Sequence, residues 1–288
     1  MACMDEDEKR RDVLRLPFSY PGSKLDQLDI ILPELPYRKK FGEAFGGSGV
    51  VLLNREPCEL EILNDRYMGV TSLYRVVRNK ALCAQLIQRL EMAVHSREEF
   101  IWCQSTWRDC NDDLERAARW FYTIVFAVNS KPESTFGRAT KGGAQLGRKY
   151  HNAVPLFWPL HERLKWTVQI ENLTWQQCIR DYDCEEMVWY MDPTYLGTTK
   201  AYEFNMPEEE HVELCDRIHN SGKGFFAVSG YNNVETRRIY DSYNWTRKIT
   251  WQRKTEMLVH CDHMLSKVET KADRTTNIVE EALWILGE

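Results

Sequence analysis

Phe41-Gly-Glu-Ala-Phe-Gly-Gly-Ser-Gly49, continued by Val50-Val-Leu-Leu53 and, after a polar link, by Leu60-Glu-Ile-Leu-Asn-Asp65, is the stretch from which the fold is read. Residues 41–45 read as a short strand, 46–49 as a glycine turn, 50–53 as the opening of a helix, and 60–63 as a second strand ending at Asn64-Asp65. Strand, glycine turn, helix, strand, acid is how a nucleoside-binding α/β unit begins. The alternation returns late in the chain, with strands predicted over 166–170, 187–191 and 225–229 and a helix over 207–220. Residues 246–251 and 281–286 also read as strands. Between the two parts the spacing of Leu73, Val76, Val77, Leu82, Leu86 and Leu90 predicts helix from 71 to about 99. A second helix is predicted over 114–128, with Ala117, Phe121, Ile124, Val125 and Val128 on its apolar side. The expectation is an α/β domain formed by residues 1–70 and 159–288 and split by a helical insertion over 71–158. Trp102, Trp107, Trp120 and Phe121 are assigned to the core of that insertion.

Composition bounds the function classes. The chain has 288 residues and a net charge of −5, ordinary for a globular protein and giving no general reason to expect nucleic-acid binding. No apolar run approaches the roughly 18 residues that span a bilayer, and residues 1–15 are charged where a signal peptide is apolar. A cytoplasmic protein without a membrane partner is expected. The nine cysteines include Cys58, Cys83, Cys178 and Cys184 but form no Cys-x-x-Cys pair, which argues against a disulfide framework and a zinc cluster. His260, Cys261, Asp262 and His263 are consecutive and would alternate faces on a strand, so no metal site is expected. The acidic residues 5–8 read as a tail. Charge is uneven along the chain. Between 131 and 150, Lys131, Arg138, Lys141, Arg148 and Lys149 face only Glu133, and Gly137, Gly142, Gly143 and Gly147 intervene. This reads as a basic loop able to approach phosphates with backbone and side chains.

Asp192-Pro-Thr-Tyr195 runs straight out of the apolar residues 187–191. It places a carboxylate, a stiff backbone carbonyl and a flat aromatic face at the carboxyl edge of a sheet, where open α/β sheets bind ligands. Those parts suit a nucleobase taken out of its stack. At the glycine turn, Leu52 stands where a dinucleotide fold has its third glycine, and Glu43 precedes the turn; both disfavour a bound pyrophosphate. A cationic ligand without phosphate, such as S-adenosylmethionine, fits better.

Taken in order, Tyr20-Pro-Gly-Ser-Lys24, Glu43-Ala-Phe-Gly-Gly-Ser-Gly49, Asn64-Asp65, a helical insertion containing Phe136-Gly137, Asp192-Pro-Thr-Tyr195 and the strand end Ser229-Gly-Tyr231 resemble the motifs of adenine-N6 DNA methyltransferases of the Dam type. The resemblance implies a Rossmann-like, S-adenosylmethionine-dependent methyltransferase sheet with a helical target-recognition insertion, acting on double-stranded DNA. It implies cofactor contacts from Tyr20, Lys24, Glu43, Phe45, Gly47, Asp65 and Asp192, with Asp65 on the ribose hydroxyls. Asp192 and the Pro193 carbonyl would each accept a hydrogen of the adenine amine, and Tyr195 would stack on the extruded base. In the insertion, Lys131, Arg138, Lys141, Arg148 and Lys149 would hold phosphates. Asn129, Arg138, Gln145, Arg148 and Asn152 have side chains able to read base edges. A cognate restriction endonuclease is a further partner that such an enzyme can have. The chain departs from the family at Ala44, usually proline, and at Thr194, also usually proline. The second change frees residue 193 to visit other backbone angles, so a looser acceptor site is expected, with Thr194→Pro equal to or better than wild type. Competing readings are methylation of RNA adenine or of cytosine N4, a non-catalytic DNA-binding module on a methyltransferase fold, and a nicotinamide dehydrogenase.

Overall fold

A computed structural model of the chain describes residues 13–137, 144–196, 204–255 and 277–287. After short helical turns over residues 25–34, the chain enters β1 (Lys40–Glu43), α1 (Val50–Asn54) and β2 (Leu60–Asn64). Six helices follow: α2 (Met68–Arg78), α3 (Lys80–Glu91), α4 (Arg97–Thr106), α5 (Asp113–Phe126), α6 (Ala144–Ala153) and α7 (Phe157–Leu164). The sheet resumes with β3 (Val168–Glu171), α8 (Trp175–Tyr182), β4 (Met187–Met191), α9 (Glu208–Ser221), β5 (Phe225–Tyr231), α10 (Val234–Tyr240), β6 (Arg247–Thr255) and β7 (Asn277–Leu286). Among the described residues no helix is long and apolar enough to cross a membrane.

One seven-stranded sheet runs in the order β3-β2-β1-β4-β5-β7-β6. The strands β3, β2, β1, β4 and β5 are parallel, and β7 inserts antiparallel between β5 and β6. Every residue of β4 and β5 is buried, as expected for central parallel strands covered on both faces. Alternation along them divides the core into two. Val188 and Tyr190 face the α2 to α7 side together with Phe41, Leu63 and Leu283. Met187, Trp189 and Met191 face α8, α9 and α10. The strand order reverses between β1 and β4, and such a reversal opens a crevice at the carboxyl ends of the strands.

The helices between β2 and β3 are tied to the sheet by a buried ion pair. Arg163 of α7 grips Glu61 of β2 through two bonds of 2.7 and 2.6 Å and also donates to the Leu52 and Leu53 carbonyls. Glu61 is fully buried, so its charge is tolerated only because Arg163 and the Thr167 hydroxyl occupy both its oxygens.

Four expectations change. Val128, placed on the apolar side of a helix over 114–128, lies beyond the end of α5 at Phe126 and is 39% exposed. The helical stretch from 71 to 99 is broken at Asn79, whose side chain accepts the amides of Ala81 and Leu82 and so caps a new helix. The basic stretch is not loop throughout, since α6 carries Arg148, Lys149 and Asn152. Leu146, Tyr150 and Ala153 supply the spacing that packs one face of α6, and this outweighs Gly147. Trp102 leaves the core: it is 41% exposed, with the Arg119 guanidinium 4.1 Å from its ring, whereas Trp107, Trp120 and Phe121 are buried. Residues 5–8, Arg138, Lys141, Gly142, Gly143 and residues 260–263 lie outside the described residues, and Gln145 is described only as part of α6.

Candidate active site

The glycine turn is built by backbone angles that only glycine adopts freely. Gly47 and Gly49 have φ of 48° and 63°. A side chain at 47 would also meet the Tyr20 ring at 3.1 Å. The turn is then fastened to the end of β2. Gly46 donates its amide to the Asn64 carbonyl at 2.7 Å, and Asp65 accepts the amides of Gly47 and Tyr67, each at 2.6 Å. Asn64 accepts the Leu173 amide and donates to the Ala44 carbonyl, so the loops after β1, β2 and β3 form one rigid rim. Burial raises the Asp65 carboxyl above its ordinary range, against the pull of its two amide donors.

Glu43 ends β1 beneath this turn. It is buried, and its carboxyl accepts the Leu52 amide, one of the amides that the start of a helix leaves without an internal partner. Burial pushes its pKa up to about 8, with the Leu52 bond opposing. The support comes from the backbone amide at position 52, which any residue except proline supplies.

Across the strand reversal, β4 delivers Asp192. The loop before the first helical turns brings Lys24, only 3% exposed, to Asp192, where Nζ donates to Oδ2 at 2.6 Å and to the Gly22 carbonyl at 3.1 Å. On the other oxygen, Ser229 of β5 donates to Oδ1 at 2.6 Å, and the Tyr190 hydroxyl in turn donates to Ser229 at 3.1 Å. Each carboxylate oxygen has two lone-pair sites, so one partner apiece leaves acceptor capacity on both. Tyr195 lies beside this pair, its ring 4.9 Å from Lys24 Nζ and edge-on to Tyr231 at 4.6 Å. Its hydroxyl donates to Glu281 of β7 at 3.4 Å, and burial holds that hydroxyl well above its ordinary pKa. Glu281 is fully buried and paired with Arg253 of β6 at 3.1 Å.

A single cavity of about 920 Å³ is lined by Tyr20, Lys24, Glu43, Phe45, Gly47 and Asp65 on one side and by Asp192, Pro193 and Tyr195 on the other. Every residue singled out for cofactor or catalysis thus borders one space. Its rim adds aromatic surface. Phe45 packs against Trp175 at 6.2 Å, and the Arg66 guanidinium sits 4.4 Å from the Phe204 ring. Of the residues assigned to DNA, Asn129 and Lys131 line this cavity. Arg148, Lys149 and Asn152 instead line an adjoining groove of about 660 Å³, which shares Ser19, Tyr20 and Arg253 with the cavity. Lys149 reaches across it to donate to Ser19 Oγ at 3.1 Å.

Ser229, Arg253, Glu281 and His211 support the site, and the last three carry no local signal of it. Ser229 opens a strand end noticed for its Gly-Tyr continuation, which is the nearest the sequence comes to marking any of the four. Among the described residues no group of three or more His, Cys, Asp or Glu side chains is arranged to hold a metal ion. The family model of D12 class N6 adenine-specific DNA methyltransferases matches residues 20–257. No curated protein matches the chain.

Proposed function

The chain belongs to the D12 class N6 adenine-specific DNA methyltransferase family, and from that premise we propose that it draws the methyl group from S-adenosylmethionine and receives the target adenine, turned out of the duplex, at Asp192-Pro-Thr-Tyr195. The observation that carries this reading is the Asp192 carboxylate, held by Lys24 and Ser229 at 2.6 Å each, in the same cavity as the glycine turn.

The lining of the cavity fits the methyl donor. At the glycine turn and the Asp-Pro-Thr-Tyr motif the lining presents Glu43, Asp65 and Asp192, and the nearby Lys24 is already paired with Asp192, so this part of the cavity favours a cation over a phosphate. Tyr20, Phe45, Gly47 and Asp65 would hold the nucleoside end, with Asp65 keeping spare lone pairs for ribose hydroxyls. When bound, S-adenosylmethionine supplies an electrophilic methyl group on a sulfonium.

The chain's own residues make the acceptor nucleophilic. The exocyclic amine of adenine is a weak nucleophile because its lone pair is delocalised into the ring. Asp192 and the Pro193 carbonyl would each accept one amine hydrogen, drawing the nitrogen toward tetrahedral geometry and stabilising positive charge as it develops there. Lys24 and Ser229 fix the carboxylate in advance, so no reorganisation is required at the moment of transfer. Tyr195 offers its face to the base; stacking returns about 1–3 kcal/mol, comparable to the few kcal/mol that extrusion costs. The helices over 71–158 would form the target-recognition region. Arg148 and Lys149 in the groove beside the cavity would take phosphates flanking the extruded base, and Asn129 and Asn152 have side chains suited to base edges. Lys131, Arg138, Lys141 and Gln145 remain part of that assignment.

The test is a labelled methyl donor offered to DNA and RNA, followed by nucleoside analysis. Label in N6-methyladenine from DNA is the expected result. Label in RNA or in N4-methylcytosine overturns the reading.

A further inference from the structure

Thr194 occupies the motif position where the sequence reading expects proline and, without it, a slack acceptor site. The structure ties that residue at two points. Its hydroxyl oxygen accepts the Met206 amide at 2.6 Å. Its carbonyl lies 3.1 Å from Nε2 of His211, a buried residue of α9, whose Nδ1 lies 2.8 Å from the Tyr240 hydroxyl of α10. Because a carbonyl only accepts, Nε2 carries the proton, and Nδ1 accepts from Tyr240. Burial supports both assignments, lowering the His211 pKa to about 4 and raising that of Tyr240 well above its ordinary value. Two residues further on, Asn233 donates to the Leu196 carbonyl at 3.0 Å.

These bonds act on the atom the proposed chemistry needs. Asp192 is anchored by Lys24 and Ser229, and Thr194 by His211 and Met206. Pro193, whose carbonyl is the second amine acceptor, lies between two anchored residues. A proline at 194 would restrict residue 193 sterically, and here hydrogen bonds supply that restriction. The Thr194 hydroxyl also fastens the segment Phe204-Asn205-Met206, which lines the same cavity and is held at its other end by Arg66 over Phe204.

We propose that Thr194 and His211 are positioning residues for the target base, fixing the direction of the Pro193 carbonyl in place of a second proline ring and bracing the Phe204–Met206 segment against the acceptor. This rests on the functional reading above. It assigns His211 no contact with the base and no proton transfer.

The experiment compares Thr194→Val, Thr194→Ser, Thr194→Pro, His211→Phe and His211→Gln in the full chain. Four quantities are measured: single-turnover methyl transfer, donor affinity by titration, extrusion of 2-aminopurine at the target position by fluorescence, and melting temperature. Thr194→Val keeps the shape and loses the acceptor, so transfer and extrusion fall about tenfold, the worth of one such bond, while donor affinity holds. Thr194→Pro falls likewise, because the ring cannot accept the Met206 amide. Thr194→Ser and His211→Gln, which keep the acceptor and the donor respectively, recover most of the rate, and His211→Phe does not. Transfer by Thr194→Val and Thr194→Pro at the wild-type rate overturns the inference while leaving the functional reading intact. So does a loss that tracks donor affinity or melting temperature and is not rescued by serine or glutamine. A wild type that methylates no DNA adenine sinks both.

Discussion

Ser229→Ala removes the hydroxyl's bonds to Asp192, to Tyr190 and, at 3.3 Å, to the Met191 carbonyl, and the first two have different, measurable consequences. Ser229 donates to the Asp192 carboxylate at 2.6 Å and accepts from the Tyr190 hydroxyl at 3.1 Å. The first is charge-assisted, and such bonds contribute about 1.5–3 kcal/mol. The Asp192 side chain is 19% exposed, so water partly replaces this donor and the lower end of the range applies. Tyr190 is 1% exposed, so its hydroxyl is left unsatisfied at a cost of about 1–3 kcal/mol. The sum is roughly 2.5–4.5 kcal/mol of stability. Adding Tyr190→Phe removes the orphaned hydroxyl, and the double variant should regain about 1–2 kcal/mol relative to Ser229→Ala. Activity should not follow. The carboxylate has lost a positioning donor in both variants, and transfer should drop about 10- to 100-fold in each. Urea unfolding gives the stabilities and single-turnover methylation the rates. A double variant no more stable than Ser229→Ala would mean that Tyr190 is not left unsatisfied, and Ser229→Ala turning over like wild type would mean that Ser229 does not position Asp192.

Three further outcomes follow from the same geometry. Glu43, with a pKa raised to about 8 by burial, holds a proton in the folded state that the unfolded chain has already released, so its contribution is complete below about pH 4.5 and is lost as pH rises toward 8. Glu43→Gln, which keeps an acceptor for the Leu52 amide, should be more thermostable than wild type at pH 8 and lose that advantage by pH 5; an equal shift at both pH values contradicts this. Asp65→Asn must turn an amide group toward one of the two backbone amides it now accepts, and titration should show donor affinity weakened by about 10- to 100-fold, with unchanged affinity moving the ribose end elsewhere. Arg148→Ala should weaken binding to all DNA sequences and reduce the slope of log affinity against log salt by about 1; an unchanged slope removes the groove from the interface.

The parts of the architecture that were legible in the sequence are those written locally. The run 41–45 with its glycines, and the apolar 187–191 ending at Asp192, announce strand, turn and strand end in consecutive residues, and both elements lie where that reading put them. Tyr20, Lys24, Glu43, Phe45, Gly47, Asp65, Asp192, Pro193 and Tyr195 were legible for the same reason, since each belongs to a short motif, the first two in the loop before the helical turns and the rest at strand ends. What was missed is set by tertiary pairing. Glu281 reaches Tyr195 across 86 positions because β7 inserts beside β5, and no local pattern encodes that insertion. His211 sits on one face of α9 like any core residue, and only the packing of α9 and α10 against the motif gives it a polar task. Gly147 weakened the helical signal of α6, whose packed face decides its conformation. Trp102 was misplaced because aromatic character alone does not say which side of a helix a residue occupies; Phe100 and Cys103 fill the buried side of α4.

Asp192 is assigned to the acceptor amine rather than to holding the donor. Methyl transfer to DNA adenine and equilibrium binding of S-adenosylmethionine, measured side by side for wild type and Asp192→Ala, test it most directly. Asp192→Ala should still bind the donor and transfer no detectable methyl group; appreciable turnover by this variant would remove Asp192 from the acceptor site.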